Sequence, residues 1–237
     1  MPVRTACILA AGRGTRLGAF GQMRPKGFIE VGGAPIVVRS VERLRRAGIE
    51  RVVVVTGHQA DWYAELDVER VHNAEFAHTG SLRSLACARE ALAGEETFLL
   101  LESDLVYEQR ALEALLVSPH ESAIVVSGPT GAGDEVWVAH DEGRLVSMSK
   151  DPGRLSSGPH AELVGISRIS RALFEALLEI DRESGALAYE TDGLVRCAGR
   201  FDIGCVMVTD LRWGEIDDEA HLARAHHVHD EIVRMNA

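Results

Sequence analysis

The residues best placed to do chemistry stand near the start of the chain. Ala6-Cys7-Ile8-Leu9 is an apolar run that empties into Ala10-Ala11-Gly12-Arg13-Gly14-Thr15-Arg16-Leu17, with Arg24-Pro25-Lys26 shortly after. Glycine lets the backbone come close to an anionic ligand, and successive amides in such a loop can point at phosphate oxygens. Arg16 and Lys26 add fixed positive charge beside those amides. The pattern is that of a nucleoside triphosphate site. Its binding residues are Leu9, Ala10, Ala11, Gly12, Arg13, Gly14 and Thr15.

Spacing decides which kind of phosphate loop this is. A dinucleotide fingerprint needs G-x-G-x-x-G, and Leu17 stands where the third glycine belongs. A P-loop needs G-x-x-x-x-G-K-[ST], and counting from Gly12 or Gly14 puts no lysine in register. What remains is L-A-A-G-x-G-T-R-L followed by P-K. This string resembles the opening of the nucleotidyltransferases that make NDP-sugars, CDP-choline and related CMP conjugates. Its plain alternative is a glycine-rich turn after a strand.

Triphosphate chemistry also needs metal-binding oxygens. The run Thr97–Leu101 ends in Glu102-Ser103-Asp104, which places Asp104 at the ligand-binding edge of a buried strand. Mg²⁺ takes one or two carboxylates and completes its shell with phosphate oxygens and water. Glu215-Ile216-Asp217 is the candidate source of the second carboxylate. Two structural alternatives stand beside this: Asp104 as a turn residue or helix N-cap, and Asp217 as the N-cap of the last helix.

The elements that must hold these residues alternate through the first half. Strands are expected at Thr5–Leu9, Arg51–Thr56, Thr97–Leu101 and Ala123–Ser127, with helices at Pro35–Ala47, Ser81–Leu92 and Gln109–Leu116. The β-branched run Arg51–Thr56 suits a strand buried on both faces of a parallel sheet. In the second half, Glu135–His140 and Arg144–Ser149 flank the turn Asp141-Glu142-Gly143 and read as a hairpin. Asp151–Pro159 reads as a mobile loop near the site, Glu162–Ile169 and Phe201–Val208 as strands, and Arg171–Ile180, Tyr189–Val195 and His221–Met235 as helices. The expectation is an α/β, three-layer Rossmann-like fold with a mostly parallel central sheet and a small β-hairpin insertion. One domain covers residues 1–237, with a nucleotide-binding half (1–128) and an acceptor-binding half (129–237).

At 237 residues with 46% hydrophobic side chains, the chain can bury a substantial core. A net charge of -11 argues against nucleic acid as a partner and requires cations to be concentrated locally, as at Arg13, Arg16, Arg24 and Lys26. Cys7, Cys87, Cys197 and Cys205 are widely spaced, which fits buried free thiols in a reducing compartment. No stretch is long and apolar enough for a membrane span or a signal peptide. These features predict a cytoplasmic monomer or homodimer.

Further strings extend the resemblance over nearly the whole chain, towards the cytidylyltransferase branch. That branch includes the phosphocholine cytidylyltransferases and those for phosphonates such as 2-aminoethylphosphonate and phosphonoformate. In order, the strings are V-V-V-T-G-H (Val53–His58), V-H-N (Val71–Asn73), S-L-R-S-L (Ser81–Leu85), E-S-D (Glu102–Asp104), E-V-W (Glu135–Trp137), Y-E-T-D (Tyr189–Asp192) and E-I-D (Glu215–Asp217). The resemblance implies that Asp104 and Asp217 bind the catalytic Mg²⁺ and that Lys26 contacts the phosphate under attack. It implies transfer of CMP from CTP to a small anionic acceptor, with release of pyrophosphate. Lys26 and Arg16 would be the catalytic cations, because a phosphate or phosphonate oxygen needs no general base.

The chain departs from the family pattern in three places, the last of which bears on the acceptor. Gly18-Ala19-Phe20-Gly21-Gln22-Met23 replaces the proline and threonine usual before Pro-Lys, and Glu102 stands where aspartate is common. Trp137 and Tyr189 are kept, but Arg83 and Glu190 occupy places where a choline site would have more aromatics. Arg83 follows the expected base-facing segment Thr79-Gly80-Ser81 and can clasp a carboxylate or phosphonate. Lys150 is a second candidate cation; either residue could equally be a solvated surface charge. The acceptor expected on these grounds is a phosphonoformate-like phosphonate, bound by Arg83, Trp137, Lys150, Tyr189 and Glu190. The alternatives are a sugar-1-phosphate or phosphocholine nucleotidyltransferase, or a non-catalytic nucleotide sensor. The histidines His221, His226, His227 and His229 are expected on the surface, and Trp213 in the core or a wall.

Overall fold

The computed structural model describes residues 2–155, 158–185 and 187–235. The elements, in chain order, are β1 (Thr5–Ala10), α1 (Gly18–Met23), β2 (Glu30–Val31), β3 (Ala34–Pro35), α2 (Ile36–Arg46), β4 (Arg51–Thr56) and β5 (Glu69–His72). Next come α3 (Ser81–Cys87), β6 (Thr97–Glu102), β7 (Leu105–Tyr107), α4 (Arg110–Val117), β8 (Ser122–Ser127), β9 (Trp137–Asp141) and β10 (Arg144–Ser149). The chain ends with β11 (Ala161–Ser170), α5 (Arg171–Glu183), α6 (Glu190–Cys197), β12 (Ile203–Met207), β13 (Trp213–Glu215) and α7 (Glu219–Met235).

A nine-stranded sheet runs in the order β5-β4-β1-β6-β11-β8-β12-β10-β9. Strands β5, β4, β1 and β6 are parallel, and every residue of β1 is buried, as a central parallel strand requires. Alternate residues then feed two cores. Cys7 and Leu9 pack with α3, α5 and α6 through Leu82, Leu85, Phe174, Leu177 and Leu194. Ala6, Ile8 and Ala10 face α2 and α4 through Val37, Leu44, Leu112 and Leu115. The molecule is therefore a three-layer α/β structure of Rossmann-like type.

The second half departs from simple parallel winding. Strand β11 enters antiparallel between β6 and β8, and β12 restores a parallel pairing with β8. The hairpin β9–β10 extends the main sheet, because β10 pairs with β12 while β9 turns back onto Ala161 and Glu162 of β11. This satisfies edge groups that a free hairpin would expose. The regular part of the Ser81–Leu92 helix ends at Cys87 and continues as turns, with Leu92 N–H reaching the Ala88 carbonyl at 2.9 Å. In the segment Asp151–Pro159, Asp151 caps a short 3-10 turn, and residues 156 and 157 lie outside the described residues.

Helix α7 covers the loop region. It packs Ala225, Val228 and Ile232 on Leu17, Ile29, Val31, Ile36 and Ile216. Its inward face also carries His221 and His229, both buried, which corrects the expectation of four surface histidines. At i and i+8 they lie on one stripe, whereas His226 and His227 point outward. Trp213 is core, and its indole N–H donates to Ser127 Oγ at 2.8 Å. Cys7 and Cys197 are buried, Cys87 and Cys205 half-buried, and all four are free thiols. No helix among the described residues is long and apolar enough to cross a membrane.

Candidate active site

Backbone register builds the site before any side chain is considered. β1 and β6 lie side by side, with Leu9 opposite Glu102, so the loop after β1 and the turn after β6 open at one sheet edge. The chain reverses at Ser103-Asp104 and forms β7, which pairs antiparallel with β13 so that Leu105 faces Glu215. The Ile216 N–H then donates to the Asp104 carbonyl at 3.0 Å. That register sets Asp104 beside Asp217. Asp104 is a turn residue, and Asp217 precedes α7 without capping it; the Asp218 carboxylate accepts the His221 N–H at 2.8 Å instead.

The two aspartates converge on one cation. Lys26 Nζ donates to Asp104 Oδ2 at 3.0 Å and also to Asp217 Oδ1. Arg16 Nη2 lies 2.6 Å from Asp217 Oδ2. Burial alone would pull the Lys26 ammonium down, but Asp104 and Asp217 hold it above the ordinary lysine range. Burial likewise opposes ionisation of Asp217, and Lys26 and then Arg16 overcome it, so its carboxyl lies below the usual range. Asp104 Oδ1 is buried with no hydrogen-bond partner among the described residues. Two carboxylates that meet at one positive position, one with an oxygen to spare, form a hard-oxygen set that fits Mg²⁺.

These groups form one end of a cleft of about 990 Å³. Its walls include Leu9, Ala10, Ala11, Gly12, Arg13, Gly14, Thr15, Arg16, Lys26, Gly80, Ser81, Asp104, Lys150, Tyr189, Glu190 and Asp217. The structure thus brings together almost every residue singled out from the sequence. Gly80 sits where a Cβ would lie 2.1 Å from the Ala188 carbonyl oxygen, so only glycine lets the start of α3 meet the segment before α6. There Ser81 Oγ donates to Glu190 and accepts the Glu190 N–H at 3.2 Å.

Two expected residues do not line the cleft. The Arg83 guanidinium turns away to Asp181 on α5, Nε to Oδ1 at 3.2 Å, because the next residues of α3 face the core and Asp181 is buried there. Trp137 is held in β9 opposite Ser149 and Glu162, and the neighbouring Val136 takes the place on the cleft wall.

Glu102 and Glu215 also line the cleft; in the sequence they stand out only as members of the E-S-D and E-I-D strings, beside the aspartates expected to bind metal. Glu102 is admitted by Gly165, whose φ of +80° lies at a break in the β11–β8 register and whose missing Cβ would stand 3.1 Å from Glu102 Oε2. Burial first, then Glu190 and Asp104, push the Glu102 carboxyl well above its usual range. Glu215 is pushed up to about 9 by burial and then by Asp104 and Asp134. Both are visible in the strings E-S-D and E-I-D, but nothing in those strings tells that the two glutamates share a wall.

A loop rich in amides and cations, a paired-carboxylate position beyond it and a large cleft at the strand ends together describe a nucleotide-handling site. Among known families, the MobA-like NTP transferase domain matches residues 6–191, more than half of the chain. The chain belongs to this family. A CMP-5'-(3-aminopropyl)phosphonate synthase of Streptomyces rubellomurinus is 32% identical over 92% of this chain and 37% of its own length. A 2-aminoethylphosphonate cytidylyltransferase of Lancefieldella rimae is 28% identical over 97% of this chain and 94% of its own length. The chain therefore spans little more than a third of the first relative and nearly all of the second.

Solved structures agree on the fold of this MobA-like chain. The inositol-1-phosphate CTP transferase from T. maritima superposes with a TM-score of 0.82 at 20% identity, covering 98% of this chain and 97% of that one. The CTP:phosphocholine cytidylyltransferase from Streptococcus pneumoniae gives 0.79 at 17% identity, covering 96% and 99%.

Proposed function

We propose that this chain transfers CMP from CTP to a small phosphonate, releasing pyrophosphate. An acceptor oxygen attacks the α-phosphorus, and the bond to the bridging oxygen breaks, so that pyrophosphate leaves with the electron pair. The acceptor oxygen is already anionic, so the task is to bring two polyanions together and hold them in line. The amides of Ala11–Thr15 and the Arg13 and Arg16 guanidiniums bind the triphosphate. Lys26 neutralises charge at the reacting phosphate. Asp104 and Asp217 would hold Mg²⁺, which supplies further charge neutralisation when bound.

The observation that carries this reading is Lys26 between Asp104 and Asp217 at the end of the phosphate loop. For the acceptor, Arg83 paired to Asp181 removes half the ground for a phosphonoformate-like molecule, although Lys150 still lines the cleft. The cleft wall carries the carboxyl groups of Glu102, Glu190 and Glu215, whose oxygens can accept hydrogen bonds from an amine on the phosphonate. The two relatives named for aminoalkylphosphonates point the same way. The test is pyrophosphate release with Mg²⁺ from each of CTP, UTP, GTP, ATP and dTTP against aminoalkylphosphonates, phosphonoformate, phosphocholine and sugar-1-phosphates. Release with CTP and an aminoalkylphosphonate supports the reading. Release only with phosphonoformate restores the carboxylated acceptor, and release only with a sugar-1-phosphate overturns the phosphonate assignment.

A further inference from the structure

Behind the cleft wall lies a second, much smaller cavity of about 20 Å³, room for a single water or ion. Asp134, Glu215, His221 and Arg224 are among its lining residues. Glu215 lines both spaces, whereas Asp134 and His221 line only the small one. One ligand atom from each of Asp134, Glu215, Asp217 and His221 lies within 4.8 Å of the others. They come from the loop before β9, the end of β13 and the first turn of α7, so folding alone assembles them.

Two atoms in this cluster lack partners. The His221 side chain is only 7% exposed, and its Nε2 faces Asp134 Oδ1 at 3.6 Å, beyond hydrogen-bond reach. Its Nδ1 and Asp134 Oδ2 are buried with no hydrogen-bond partner among the described residues. Buried polar atoms are normally satisfied. Here the His221 edge that carries Nε2 turns toward Asp134 without reaching it, while Asp134 Oδ2 has no hydrogen-bond partner among the described residues. A centre held between the imidazole and the carboxylate would satisfy both. Lys26 and Arg16 are engaged with Asp217 on the cleft side.

We infer that Asp134, Glu215 and His221 hold a divalent transition-metal ion distinct from the cation position between Asp104 and Asp217, with Asp217 close by but engaged by Lys26 and Arg16 on the cleft side. Imidazole with carboxylates suits Zn²⁺, Co²⁺ or Mn²⁺, whereas all-oxygen sets suit Mg²⁺. Such an ion ties the loop before β9 to the β13–α7 junction that carries Asp217. It would also relieve the crowding of negative charge around Glu215.

The test reads binding and does not depend on the proposed transfer. Tag-free, chelator-treated protein is titrated with Co²⁺ in excess Mg²⁺ and followed by visible absorption. The expected result is one tightly bound equivalent that Mg²⁺ does not displace. His221→Gln should weaken it by about tenfold or more, and Asp104→Asn should leave it in place. Asp134→Asn, checked for native circular dichroism, gives the same reading should His221→Gln fail to fold. Displacement by Mg²⁺, wild-type affinity in both His221→Gln and Asp134→Asn, or equal loss in Asp104→Asn would each overturn the assignment.

Discussion

Lys26 is held by two carboxylates at once, and its ammonium replaces in part the charge that a bound cation would bring. On the proposed function, its removal should cost turnover more than binding, because the loop amides, Arg13 and Arg16 would remain to hold the triphosphate. Lys26→Ala is expected to lower kcat by about 10²–10³, with the CTP dissociation constant changed far less; steady-state kinetics and calorimetry separate the two. Arg83 behaves in the opposite way. It neutralises buried Asp181, whose carboxyl is pushed up by burial and pulled back by Arg83. Arg83→Ala should therefore destabilise the fold by roughly 1–2 kcal/mol and leave the acceptor KM unchanged. A rise in that KM without a change in Tm would return Arg83 to the site.

At the scale of elements, a two-strand pairing and a bulge decide the geometry. The β7–β13 register fixes Asp104 against Asp217 through the Ile216 N–H, so a one-residue slip would turn the two carboxylates to opposite faces. The break in β11 at Gly165 makes room for Glu102. Gly165→Ala places a Cβ at a φ of +80° and 3.1 Å from the Glu102 carboxylate. It should cost about 1–2 kcal/mol in backbone strain, visible as a lower Tm. It should also raise the acceptor KM more than that for CTP, since Glu102 and not the phosphate loop is displaced. An equal effect on both constants would mean that the bulge serves the fold alone.

The whole molecule concentrates opposite charges within an acidic chain. Glu102, Glu162 and Glu215 all have carboxyls raised first of all by burial, and Glu215 reaches about 9. A glutamate in the unfolded chain titrates near about 4.3, so the folded protein holds more protons through the window above that value. Stability must then fall as pH rises through the window, up to the folded value of Glu215. The metal-free protein should show a declining Tm from about pH 5 to about pH 9, and Glu215→Gln should flatten the upper part of that decline. A Tm that rises across this range would mean that Glu215 is ionised in the fold. Asp217 contributes with the opposite sign, since its folded carboxyl lies below the usual range and its stabilisation is lost only in acid.

Legible in the sequence were the glycine-rich loop after β1, the alternation of strands and helices, and Asp104 at a strand end, with Asp217 marked as a candidate second carboxylate. Those features are local: a glycine spacing, a β-branched run and an acidic residue at a strand terminus each carry their physics within a few residues. The buried strands were legible for the same reason, because a parallel strand covered on both faces must be apolar throughout. Tertiary structure alone decided where Arg83 points, since Asp181 lies far along the chain and only α3–α5 packing brings it near. It also decided that His221 is buried, that β9 closes back on β11, and that Asp134 meets Glu215 and His221. These depend on pairings between distant segments, and a side chain's partner across such a pairing leaves no mark on its sequence neighbours.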